Sequence, residues 1–90
     1  MGSGPTGRGG SSKTYISTAM TTAVKPGTGV LRRIVLGETA AGTITVNDSL
    51  GIVAVLKAST VEGTYEFDCT CVGKIEVVTG AASKLTVVWD

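Results

Sequence analysis

Residues 64–72 read Thr64-Tyr65-Glu66-Phe67-Asp68-Cys69-Thr70-Cys71-Val72. Aromatic rings and thiols fall at every second position, with Glu66, Asp68 and Thr70 between them. Successive side chains of a strand point to opposite faces. The spacing therefore predicts a half-buried β-strand with Tyr65, Phe67, Cys69 and Cys71 turned inward. The same texture extends along the chain. Residues 43–47 alternate too, with Ile44 and Val46 on one face and Thr43, Thr45 and Asn47 on the other. Residues 30–36, 52–58, 75–79 and 85–89 are further runs rich in valine and threonine, which suit a pleated, half-buried surface. Residues 15–24 form one more β-branched stretch. Between these runs stand turn signals: Lys25-Pro26-Gly27-Thr28-Gly29, residues 38–42, Asn47-Asp48-Ser49, Glu62-Gly63, Gly73 and residues 80–83. About seven strands at intervals of roughly 8–12 residues predict an all-β protein, an antiparallel β-sandwich of jelly-roll-like form. The expected core places Ile44, Val46, Tyr65, Phe67, Cys69, Leu85 or Val87, and Trp89 on inward faces.

The chain has 90 residues, enough for one domain. A domain of this size buries only roughly 65% of the surface its unfolded chain exposes, so pairing with copies of itself or with a partner would help it. Residues 1–13 hold glycine, serine and proline, with no apolar side chain after Met1. Such a segment buries too little to offset its ordering entropy. It reads as a flexible N-terminal arm, or as an added leader, with the arm taken as residues 1–14 and the sandwich as residues 15–90. Net charge is +1, which gives no global field for nucleic acid or membrane. Residues 1–37 carry Arg8, Lys13, Lys25, Arg32 and Arg33 and no acid, whereas residues 38–90 carry three lysines and all seven acids. This split suits a basic arm that reaches an acidic partner, with Arg8 and Lys13 as its contacts.

Several chemistries find no support in the residues. The chain has no histidine, which closes the Ser–His and Cys–His nucleophilic routes. Cys69 and Cys71 sit two apart on one strand face, a geometry that suits a disulfide poorly, and no third cysteine completes a zinc set. Free thiols point to folding in a reducing cytoplasm. The glycines around Lys13 lack the glycine directly before the lysine, and the strand before the motif, that a phosphate loop needs. Glu66 and Asp68 share a strand face but have no aromatic platform for a sugar beside them. The basic half has only Tyr15 to interleave with its cations, too little for nucleic acid. No run of about 18 apolar residues and no export signal is evident. The expectation is a protein without catalysis, cofactor or metal, and without nucleic-acid or membrane partners. Arg32 and Arg33 interrupt an apolar strand. One of them must face the core side unless a bulge intervenes. A carboxylate or a subunit interface would accommodate it, and the interface is the expected role of both arginines.

Three segments together carry a resemblance. Residues 24–36, Val-Lys-Pro-Gly-Thr-Gly-Val-Leu-Arg-Arg-Ile-Val-Leu, join a glycine turn to a long valine strand. Residues 43–48 form a short strand that ends in an Asp turn. Residues 73–80 and 85–89 form a closing hairpin. Over residues 15–90 the sequence resembles small structural proteins of tailed bacteriophages, namely capsid decoration (cement) or head-fibre proteins. The resemblance implies a subunit made in the host cytoplasm that sits on the outer capsid surface of the virion. It implies a homo-oligomer, commonly a trimer, that clamps neighbouring major capsid proteins. A receptor- or carbohydrate-binding module of a fibre, or a tail-associated subunit, is the alternative. The arm before Tyr15 is not part of the pattern.

Overall fold

The computed structural model describes residues 12–90. Eight strands make up the fold: β1 (Ser12–Ile16), β2 (Thr21–Lys25), β3 (Gly29–Glu38), β4 (Ile44–Asp48), β5 (Gly51–Leu56), β6 (Gly63–Cys71), β7 (Ile75–Thr79) and β8 (Lys84–Trp89). They form two four-stranded antiparallel sheets, ordered β1-β8-β3-β6 and β2-β7-β4-β5, which pack as a sandwich. The pairs β1–β8, β2–β7, β3–β6 and β4–β5 are the rungs of one long antiparallel ribbon whose tip is the β4–β5 hairpin. Rolling that ribbon over itself brings β3 beside β8 and β4 beside β7. This is the double-sheet jelly roll.

The strand count exceeds the sequence expectation by one because residues 15–24 split. Residues 17–20 are exposed and unpaired in either sheet. Buried Thr79 holds the break open. Its hydroxyl donates to the Thr18 carbonyl at 2.6 Å and accepts from the Met20 N–H at 2.9 Å. The chain therefore leaves one sheet at Ile16 and enters the other at Thr21. The sandwich also begins earlier than Tyr15, since Ser12 already pairs with Trp89.

The core comes from the central strands. Leu31, Ile34 and Leu36 of β3, Ile44 and Val46 of β4, Ile75 and Val77 of β7, and Leu85 and Val87 of β8 are essentially fully buried. Each such side chain contributes roughly 1.5–3 kcal/mol of transfer free energy. Tyr65, Phe67 and Cys69 face inward as expected and pack against this cluster, but are only partly buried, because β6 is an edge strand. Trp89 is half-buried at the end of β8, and Cys71 is fully buried. Both cysteines are free.

The arginine pair marks a bulge. Leu31 faces Trp89 on one side and Cys69 on the other, while Ile34 faces Val87 and Tyr65. Between these two core levels β8 advances two residues, β3 three and β6 four. The odd count in β3 breaks its alternation, so Leu31 and Ile34 both point inward and Arg32 and Arg33 both stay outside. The extra residue in β6 is absorbed near Asp68, whose φ of 49° is left-handed.

Candidate functional site

The outer face of the β1-β8-β3-β6 sheet collects charge. Register places Lys13, Val88, Arg33 and Glu66 in one row across four strands. The Arg33 Nε donates to Glu66 Oε2 at 3.0 Å. At the bulge the Arg32 Nε donates to Asp90 Oδ2 at 2.7 Å, and its Nη1 reaches Asp68 Oδ1 at 3.4 Å. The hydrogen bonds that it donates to the carboxylates, Asp90 first and Asp68 second, hold the Arg32 guanidinium above its ordinary value. Near the same corner the Lys25 ammonium lies 5.4 Å from the centre of the Trp89 ring and donates to the Asp90 carbonyl at 3.2 Å. The Trp89 indole N–H donates to Thr14 Oγ1.

Three of the four residues expected to make contacts are thus placed together. Lys13 is exposed on β1, two strands from Arg33, and Arg32 lies one bulge away. Arg8 lies outside the described residues. Arg32 takes two carboxylates of its own chain and Arg33 takes one. These ion pairs are more than a third exposed, so their worth is small and screened by salt.

The outer face of the other sheet is chemically different. Its rows read Val55–Thr45–Val78–Thr21 and Ile52–Asn47–Glu76–Ala23. Glu76 is the single charge in those rows, and Lys74 at 3.5 Å pairs with it. Ile52 is 70% exposed and Val55 52%, and Leu50 in the adjoining turn is 81% exposed. Sequence reasoning missed this surface. The signal was present in residues 49–56, Ser-Leu-Gly-Ile-Val-Ala-Val-Leu, which carry no charge. An apolar run reads as buried, however, until a structure shows which strand is an edge.

Three turns gather at the end of the sandwich next to this face. The Asp48 carboxylate accepts from the backbone N–H groups of Leu50 at 2.8 Å, Gly51 at 3.2 Å and Val72 at 3.0 Å. These bonds, that of Val72 foremost, hold the Asp48 carboxyl below its ordinary range. The Ser49 N–H donates to the Val72 carbonyl, and the Gly73 N–H donates to Thr28 Oγ1. Gly73 is left-handed at φ +81°, and a Cβ there would clash with the Ser49 side chain. The turn after β6 thus clamps the β4–β5 hairpin and fixes where Leu50 and β5 project.

Among the described residues there is no pocket and no group of three or more side chains able to hold a metal. Fold and surface together define a jelly roll with one face rich in ion pairs and one largely apolar face whose rows hold a single charge, Glu76. No family model, curated protein or solved structure matches the chain.

Proposed function

We propose that the protein is a non-catalytic structural subunit that decorates the outer surface of a tailed-phage head. Its partners in this reading are the major capsid protein and copies of itself. The observation that carries the reading is the contrast between the two faces. A sheet face with Ile52 and Val55 bare, whose rows hold one charge, Glu76, already paired with Lys74, suits another protein surface, since little unpaired charge must be desolvated on docking. The opposite face keeps its ion pairs in water. The jelly roll is also the architecture of many viral capsid domains, although lectins share it and a fold alone does not assign a role. The sequence resemblance adds the setting.

A decoration protein acts by mass action. It binds the assembled shell and not the free subunit, and so lowers the free energy of the assembled state. Copy number tests this reading. In particles purified from the host that produces the protein, gel densitometry should give a copy number equal to that of the major capsid protein or a simple fraction of it. A far smaller number, as for a fibre or tail subunit, would overturn the decoration role.

A further inference from the structure

Four strands form the sheet edges: β1 and β6 in one sheet, β2 and β5 in the other. Three of them carry charge. β1 holds Lys13, β2 holds Lys25, and β6 holds Glu66 and Asp68. Charged side chains on an edge oppose the addition of another strand, and above all of an identical strand, because like charges then meet across the new ladder. β5 is the exception. It reads Gly51-Ile52-Val53-Ala54-Val55-Leu56, with no charge and no proline, and among the described residues pairs with β4 alone.

Its register supplies a second observation. Val46 pairs with Ala54 and Asn47 with Ile52, so Val53 is an extra residue in β5. That bulge brings Ile52 and Val55, three apart, to the same outer face. We propose that β5 is a self-pairing edge: it joins β5 of a second copy in antiparallel register, with a two-fold axis between Val53 and Ala54. In this register Ile52 of each copy lies opposite Val55 of the other, both on the outer face. Gly51 then lies opposite Leu56, and Lys57, just past the strand, comes opposite Leu50. No two like charges meet. A one-residue shift would set outward residues against inward ones, so the face pattern selects the register. The two four-stranded sheets fuse into a continuous eight-stranded one. Its outer face is the charge-poor surface described above, doubled in width. A single-strand junction is a small interface, so the pair is weak and concentration-dependent. This inference stands apart from the capsid role, and its two-fold symmetry differs from the trimer that the family resemblance implies.

Sedimentation velocity on the protein from about 1 μM to about 1 mM tests it. The unmodified protein should shift from monomer to dimer mass across that range. The I52K/V55K and I52E/V55E variants, altered only at exposed positions, should each stay monomeric. Mixing them at low salt should restore a dimer, because each introduced lysine then faces an introduced glutamate. Amide exchange of the unmodified protein gives a reading independent of any variant: the β5 amides should slow as concentration rises, and those of β1, β2 and β6 should not. A monomer throughout, a trimer mass, a dimer that survives both variants, a mixture that stays monomeric, or β5 amides indifferent to concentration would overturn the pairing.

Discussion

Replacing Ile34 by alanine probes the bulge on which the placement of both arginines depends. Ile34 is completely buried at the centre of β3, against Val87 on one side and Tyr65 on the other. The substitution removes three carbons. At about 0.8 kcal/mol for each buried methylene the transfer loss is about 2.4 kcal/mol. Hydrogen-bonded strands on both sides, β8 and β6, limit collapse, so the remaining cavity raises the cost within a range of about 2–5 kcal/mol. A domain of this size has only about 5–15 kcal/mol in total. The control is the next residue. Val35 is 37% exposed on the outer face, so Val35→Ala should cost less than about 1 kcal/mol. Urea unfolding followed by Trp89 fluorescence measures both. With a slope of about 1–1.5 kcal/mol per molar, Ile34→Ala should lower the midpoint by about 2 M with the slope unchanged. A strand that alternated regularly from Leu31 would instead bury Arg33 and Val35. A Val35→Ala cost equal to that of Ile34→Ala, or an Ile34→Ala cost below about 1 kcal/mol, would refute the bulge.

Thr79→Val keeps the shape of a buried side chain but strips the partner of the Met20 N–H and the Thr18 carbonyl; it should cost about 1–3 kcal/mol by chemical denaturation, and a neutral result would show that the β1–β2 break needs no clamp. Gly73→Ala should destabilise through both its left-handed backbone and the clash with Ser49, and S49G/G73A should recover only the part due to the clash; full recovery would mean that the backbone is not strained there. Asp48 and Glu62 both sit below their ordinary values, Asp48 through the backbone N–H groups of Val72 and Leu50, Glu62 through the Thr39 hydroxyl and N–H. Their contribution is therefore complete above the unfolded carboxylate range and is lost as pH falls through the lower folded values. Stability should drop from about pH 5 to about pH 2, and less so in D48N/E62Q, as read by thermal melts; an equal drop in the variant would remove these two groups from the account. Burial, with smaller effects from Cys69 and Asp48, pushes the Cys71 thiol up, so a bulky thiol reagent should modify it only on unfolding, and rapid native labelling of Cys71 would place it outside the core.

Local chemistry made the class of fold legible, and tertiary context decided the rest. The alternation of residues 64–72 gave the correct inward face for Tyr65, Phe67, Cys69 and Cys71, and residues 75–79 match β7 end to end. What alternation lacks is strand position. Phe67 and Ile75 look equally apolar in sequence, yet Ile75 is fully buried on a central strand and Phe67 half-buried on an edge. The break between β1 and β2 was invisible because residues 17–20 contain neither glycine nor proline; a hydroxyl about sixty residues away makes it. The bulge was legible only as a condition that Arg32 and Arg33 would require. For the candidate surface, the charged face was foreshadowed by Lys13, Arg32 and Arg33. The charge-poor face was not, since only the topology reveals that β5 has one neighbour among the described residues.

The proposed decoration role requires the protein to bind an assembled shell and stabilise it. Calorimetry of purified shells stripped of the protein and then titrated with it tests this directly. Shells should take up the protein saturably, unassembled major capsid protein should take up none, and the shell transition should rise with free protein concentration, each tenfold increase above the dissociation constant adding about 1.4 kcal/mol per site. Shells that melt at the same temperature with and without the protein, or equal binding to free capsid subunits, would contradict it.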